Sequence, residues 1–200
     1  GDQSVEPSAV MPKGGFYFDS IVRQPPLVET ELNPSDNAEE FELLSEGELA
    51  FMKKEVNRLY AETDKAIVLA LGGMAFGDIA LVPGPTLKHP KGIRDMEEWY
   101  ISTVTRKDYV SKVFEMQCEI ALQNLPKIFE AVGNLPTVVW VSGTDFGAQN
   151  NSFISPRTFR SLYKPYYSRI NDWIHSHTQW KTFIHSCGSI MSIIPDIIDS

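Results

Sequence analysis

The sequence has little cysteine, no excess of basic residues and no long apolar run. Two cysteines among 200 residues cannot form a disulfide framework, so we expect a protein of the reducing cytoplasm. A formal net charge of −8 argues against a general nucleic-acid binder, which needs a basic surface. No apolar stretch approaches the roughly 20 residues of a membrane span, and the first residues show no signal-peptide pattern. We therefore expect no nucleic-acid partner, no membrane and a cytoplasmic location.

The chain divides by composition into an irregular arm and one ordinary domain. Residues 1–40 are rich in proline and acidic residues, and the apolar residues between 16 and 22 could form a short hairpin or pack on a larger body. Residues 41–200 form the domain, and 42% of the whole chain is hydrophobic, which is enough for a substantial core.

Within the domain, short apolar runs alternate with longer stretches that have helical spacing. The predicted strands are 66–71, 137–141 and 181–185. The predicted helices are 45–63, 95–101, 107–132, 156–176 and 189–199. Pro126 is expected to kink or divide the third helix, and Pro165 to bend the fourth. The unbroken apolar character of the first two strands is typical of parallel strands that are buried on both faces.

Alternating strands and helices predict βαβ units and a parallel sheet. No Gly-x-Gly-x-x-Gly motif follows a strand, which disfavours a dinucleotide-binding fold. The α/β class that fits best is the (β/α)8 barrel, but a complete barrel needs about 250 residues. We therefore expect an incomplete barrel of about three βα units, in a chain that is part of a longer protein. The open strand edges of such a unit also favour a homodimer.

The third predicted strand ends in His185-Ser186-Cys187-Gly188. Strand side chains alternate, so the imidazole and the thiol should point the same way. Together they are ligands suited to zinc, and the carboxyl end of a barrel strand is where catalytic groups lie in that fold. The alternative is that Cys187 is a small buried hydrophobe.

Four segments, in order and spacing, resemble one superfamily. They are Val141-Ser-Gly-Thr-Asp-Phe-Gly-Ala-Gln149, Ile154-Ser-Pro-Arg-Thr-Phe159, Tyr163-Lys-Pro-Tyr-Tyr167 and Phe183-Ile-His-Ser-Cys-Gly188. They are similar to the uroporphyrinogen decarboxylase superfamily, which also contains the zinc-dependent methylcobamide:thiol methyltransferases and has the (β/α)8 fold. The resemblance covers residues 137–200. In addition, Met11-Pro-Lys-Gly-Gly-Phe16 is similar to a segment of decarboxylase-like members.

The methyltransferase branch of this superfamily carries His-x-Cys at the same strand end. The resemblance implies that His185 and Cys187 hold zinc together with a later cysteine, which this chain lacks because no cysteine follows Cys187. It further implies transfer of a methyl group from a methylated corrinoid to a thiol. The expected partners are therefore a corrinoid protein or free methylcobamide and a small-molecule thiol.

Two other functions remain open from the sequence. One is uroporphyrinogen-type decarboxylation in tetrapyrrole biosynthesis, which uses no metal and in which Arg23 and Arg94 could meet the carboxylates of a tetrapyrrole substrate. The Arg-Gln-Ala-Gly-Arg motif of true decarboxylases is absent from this chain. The other is a barrel that binds a tetrapyrrole without catalysis.

Further candidates lie where the other two strands end. Asp145 follows the second strand and could orient a ligand or act in catalysis, or could form an Asx turn. Gly72 and Gly73 follow the first strand and could admit a cofactor closely or form a simple turn. Gln149 could line the same mouth, or be a solvated loop residue.

Overall fold

The N-terminal arm contains one short antiparallel ladder. The computed structural model describes residues 7, 9–15, 19–20 and 24–200. Strand β1 (Ala9–Val10) pairs with β2 (Asp19–Ser20), and two short 3-10 turns follow at Glu29–Glu31 and Pro34–Asn37. Most of the hairpin expected between 16 and 22 lies outside the described residues.

Helices and parallel strands alternate through the rest of the chain. The helices are α1 (Glu46–Glu62), α2 (Met96–Thr105), α3 (Lys107–Val132), α4 (Pro156–Thr158), α5 (Lys164–His177) and α6 (Ile194–Ile198). The strands are β3 (Val68–Ala70), β4 (Val138–Ser142) and β5 (Lys181–Ile184), paired in parallel in the order β3-β4-β5. The mixed α/β class and the parallel pairing are confirmed. The described strands form an open sheet, so the eight-stranded barrel stays a prediction.

Local capping explains where two of the helices begin. The Ser45 hydroxyl accepts the Glu48 N–H and the Glu48 carboxylate accepts the Ser45 N–H, which is a capping box at the start of α1. Ser155 caps α4 by accepting the Thr158 N–H. In the part of the chain that the structure describes, no helix is both long and apolar enough to cross a membrane.

Three prolines affect their helices in different ways. α3 continues through Pro126, so the expected division is wrong; Pro126 is exposed, and one missing N–H does not interrupt the remaining ladder. Before Pro165 the chain forms a π-helical turn, Phe159–Tyr163, in which the Lys164 N–H donates to the Phe159 carbonyl. The last helix is shorter than expected because Pro195 lies in its first turn, where proline starts a helix.

The sheet is buried on one face only. Leu69, Val139 and Val141 point into the core, where α3 packs against both α1 and α5. Their neighbours Trp140 and Phe183 point the other way and are 39% and 45% exposed, with ring centroids 5.4 Å apart. The prediction of strands buried on both faces is therefore wrong for the described residues. Continuous apolar sequence does not specify which element covers each face.

An aromatic cluster fills the core beneath the carboxyl ends of the strands. Phe146, Phe159 and Tyr163 are fully buried, and the Phe146 ring lies edge-on to both other rings at centroid distances of 5.4 and 5.1 Å. Phe114 packs on Tyr163 from α3, with centroids 5.0 Å apart. Through Phe146, this cluster anchors the chain immediately after residue 145.

Candidate metal centre

His185 and Cys187 lie together just beyond β5. The His185 N–H donates to the Ser142 carbonyl at 2.9 Å, which extends the ladder with β4 by one residue and fixes the direction of the imidazole. His185 Nε2 is 3.3 Å from Cys187 Sγ. Both side chains are exposed, so a solute can reach them; Cys187 is not a buried hydrophobe.

Asp145 approaches the same two residues from the end of β4. Its Oδ1 accepts the Cys187 backbone N–H at 2.7 Å and lies 3.8 Å from His185 Nε2. One ligand atom from each of the three residues falls within 4.8 Å of the others. The structure thus places Asp145 in direct contact with the His-x-Cys segment.

Two loops hold this arrangement through their backbones. Gly188 has a φ of +81°, and a Cβ there would lie 2.1 Å from the Gly147 carbonyl oxygen. The Ser189 N–H donates to the Ala148 carbonyl at 2.7 Å, and the Phe146 N–H donates to the Ser186 hydroxyl at 2.9 Å. Gly188 therefore lets the loop after β5 pass directly against the loop after β4.

Tyr100 holds the backbone of Asp145 through a hydrogen bond, a role that was not apparent from the sequence. Its hydroxyl donates to the Asp145 carbonyl oxygen at 2.9 Å. Burial, and then the charges of Asp145 and Asp78, raise the pKa of Tyr100, so the phenol remains a donor. The sequence shows only that Tyr100 falls within the predicted helix 95–101.

Burial and hydrogen bonding also fix the end of β4. The Tyr167 and Ser142 hydroxyls are 2.8 Å apart, and Thr144 Oγ1 donates to the Phe76 carbonyl at 3.0 Å. All of these side chains are buried. Burial raises the pKa of Tyr167 to about 12, so it too is neutral and able to donate.

Asp145 controls the thiol of Cys187. A hydrogen bond with the Asp145 carboxylate and the negative charge of that group raise the pKa of Cys187, with a further contribution from burial. Without a metal, Cys187 is therefore a thiol and not a thiolate at neutral pH. A metal ion would have to displace this proton in order to bind.

The donor set and its spacing fit zinc. Nitrogen, sulfur and carboxylate oxygen are the ligand atoms that zinc takes in proteins. Bond lengths of about 2.0–2.3 Å and tetrahedral angles separate neighbouring ligand atoms by roughly 3.4–3.6 Å. The observed separations of 3.3 Å from nitrogen to sulfur and 3.8 Å from nitrogen to oxygen lie close to this, and the sulfur and oxygen lie within 4.8 Å of each other. Three protein ligands would leave one position open, which is typical of catalytic zinc.

The structure does not bring the predicted cofactor-binding residues into this cluster. Gly72 and Gly73 line a cavity of about 240 Å³ between α1, α3 and the end of β3, and Gly72 also lines a groove at the carboxyl ends of β3 and β4. Gly73 has a φ of +85° and nothing within 4 Å of a Cβ, so turn geometry alone accounts for glycine there. Gln149 is exposed on the loop after β4.

Other sequence candidates have structural roles. Arg94 is 2% exposed and forms an ion pair with Glu40, so the suggestion that it meets substrate carboxylates is wrong for this conformation. Its partner arginine in that suggestion, Arg23, lies outside the described residues. Cys118 is fully buried in α3, and burial raises its pKa to about 11, so it is a core residue.

Comparison of the chain with protein-family models, with curated proteins and with solved structures found no match. The candidate function therefore depends on the geometry of the site and on the resemblance of its motifs.

Proposed function

We propose that this chain carries the zinc centre of a methyltransferase of the uroporphyrinogen decarboxylase superfamily, which moves a methyl group from a methylated corrinoid to a thiol. His185, Cys187 and Asp145 are the residues that hold the metal. The motifs of residues 141–188 support the superfamily, and the site supports the metal. The barrel fold of that superfamily is part of the proposal.

One observation carries the metal assignment. Both Cys187 Sγ and Asp145 Oδ1 approach the same ring nitrogen, Nε2 of His185. In a Cys-His-Asp nucleophilic triad, the carboxylate instead contacts the nitrogen that is remote from the thiol, and the thiol is activated. Here the pKa of Cys187 is raised, so this triad chemistry is disfavoured. Convergence of three ligand atoms on one point is what a metal requires.

The residues of the chain would divide the work as follows. His185 and Cys187 provide nitrogen and sulfur ligands, and Asp145 provides an oxygen ligand while its Oδ1 fixes the Cys187 backbone. When bound, zinc would favour the deprotonated form of a coordinating thiol at neutral pH. In the net reaction a carbon–sulfur bond forms and the methyl–cobalt bond breaks. The bonding pair stays on cobalt and the thiol proton passes to solvent.

The resemblance implies a third ligand from a later cysteine, but Asp145 is already in place. The two possibilities differ in what Asp145→Asn does. An asparagine oxygen can still accept the Cys187 N–H, yet a neutral amide is a poor zinc ligand beside a carboxylate.

The alternative of a decarboxylase receives less support from the structure. That reaction needs cationic groups around a substrate rich in carboxylates. Arg94 is neutralised in the core by Glu40, while Asp145 places a negative charge at the mouth. No observation of the described residues specifically favours a non-catalytic tetrapyrrole binder.

The test is zinc content and zinc affinity of the 200-residue chain. We expect about one equivalent by elemental analysis, retained in His89→Ala, which removes an exposed histidine from another loop. Cys187→Ser and His185→Ala should lose it. Asp145→Asn should weaken zinc about 10- to 100-fold in chelator competition.

Activity is measured as loss of the methyl–cobalt absorbance of methylcobalamin in the presence of a small thiol. We expect the rate to require zinc and to vanish in Cys187→Ser. If the wild-type chain bound no zinc after incubation with the metal, the proposed zinc centre would be refuted. Zinc binding without methyl transfer would refute the methyltransferase and leave a zinc site.

A further inference from the structure

A groove beside the metal centre combines a carboxylate with an exposed indole. It has a volume of about 440 Å³ at the carboxyl ends of β3 and β4, and Asp78, Trp140 and Ser142 line it. None of the described residues that line it is lysine or arginine. The Trp140 ring centroid is 6.2 Å from that of His185, so the groove adjoins the metal centre.

The charge of Asp78 is poorly compensated. Its Oδ1 accepts the Ala80 N–H at 2.9 Å, and no salt bridge to Asp78 is formed by the residues that the structure describes. Burial raises the pKa of Asp78, the Ala80 hydrogen bond opposes this shift, and the charge of Asp145 adds to it. A positive charge in the groove would be attracted by both carboxylates.

Trp140 supplies the complementary apolar surface. It lies on the face of the sheet that no described element covers, and it remains 39% exposed although Phe183 packs against it. The face of an indole attracts alkylammonium ions more strongly than other aromatic rings do. A carboxylate and an open indole in one groove therefore select for an organic cation.

We propose that this groove binds a small organic ammonium ion, with the charge held by Asp78 and the alkyl groups against Trp140. The acceptor thiol of the proposed reaction is then an aminothiol, whose ammonium occupies the groove while its sulfur reaches the centre formed by His185, Cys187 and Asp145. This last assignment rests on the proposed function, whereas binding of the cation does not.

The first test compares choline with 3,3-dimethyl-1-butanol, a neutral molecule of nearly the same shape. Each ligand is titrated with the 200-residue chain, and binding is monitored through the proton resonances of the ligand's methyl groups. Choline should bind about tenfold more tightly than the neutral alcohol. The choline methyl resonance should move upfield because the ring current of Trp140 acts on it. Equal affinity for the two molecules, or no choline binding, would overturn the proposal.

Two variants assign the groups. Asp78→Asn should weaken choline binding about tenfold, whereas Asp172→Asn, on an exposed position of α5, should leave it unchanged. Trp140→Leu should abolish the upfield shift. Because Trp140 is partly exposed, its removal should not prevent folding. Unaltered choline binding in Asp78→Asn would exclude the groove as the site.

A second measurement separates this inference from the proposed function. With zinc bound, kcat/KM for cysteamine should exceed that for 2-mercaptoethanol, which carries a hydroxyl in place of the amine. Asp78→Asn should remove the preference without changing zinc content. Choline binding without methyl transfer would retain the groove and refute the reaction. Methyl transfer without a preference for the amine would retain the reaction and refute the assignment of the acceptor as an aminothiol.

Discussion

Replacing Gly188 by alanine should damage the metal centre without touching a ligand. The Cβ of the new residue would lie 2.1 Å from the carbonyl oxygen of Gly147 and 2.2 Å from its carbonyl carbon. Both are backbone atoms, so no side-chain rotation can relieve the overlap. The two loops must separate, and the Cys187 N–H that donates to Asp145 lies immediately before the clash.

The loss of folding free energy in Gly188→Ala has two parts that can be separated. The φ of +81° at Gly188 costs an alanine about 1–2 kcal/mol of folding free energy. Forcing packed groups apart adds about 1–3 kcal/mol. Gly73, in the turn after β3, has a φ of +85° and nothing within 4 Å of a Cβ, so Gly73→Ala carries the conformational cost without the clash. Gly188→Ala should therefore be the more destabilised variant.

The assay is urea unfolding of the metal-free chain, together with chelator competition for zinc. We expect Gly188→Ala to unfold at the lower urea concentration and to bind zinc at least about tenfold more weakly than Gly73→Ala, which should bind as the wild type does. If Gly188→Ala bound zinc normally, the contact between the loops would not determine the ligand geometry.

Two further predictions concern the core and the thiols. Glu40→Gln should destabilise the chain by about 3–5 kcal/mol in urea unfolding, because it leaves the buried guanidinium of Arg94 without a counter-charge. Glu39→Gln, which removes the charge from the looser pair with exposed Lys91, should change the free energy of unfolding little. Equal effects of the two substitutions would contradict this reasoning. In native-state alkylation Cys187 should react while Cys118 is protected. The rate at Cys187 should still rise above pH 9 because the pKa of that thiol is raised, and zinc should suppress the reaction. Modification of Cys118 first would contradict its burial in α3.

Elements with strong local signals were predictable from the sequence. α3 occupies the predicted range 107–132, since a long amphipathic pattern identifies a helix without reference to its neighbours. The start of α1 was predicted at residue 45, and the hydrogen bonds between Ser45 and Glu48 that fix it are local. The parallel pairing followed from the order of strands and helices.

Properties that depend on distant segments were not predictable. The exposure of Trp140 depends on what covers the sheet, which its apolar neighbours in the chain do not indicate. Arg94 resembled a loop arginine, yet Glu40, 54 residues away, draws it into the core. Tyr100 meets Asp145 across 45 residues, and only the fold brings them together.

The same distinction applies within the metal centre, and it indicates what determines its precision. His185 and Cys187 were recognisable because strand alternation relates them locally, whereas Asp145 joins them through the register of β4 and β5 and the contact of their loops. The side chains of His185 and Asp145 are 46% and 29% exposed, so packing around the ligands themselves cannot fix their positions. Their geometry must instead come from the backbone, held by the buried Phe146 on one side and by the approach of Gly188 on the other. An exposed site of this kind can admit a metal and a substrate while buried groups and backbone hydrogen bonds hold its ligands in place.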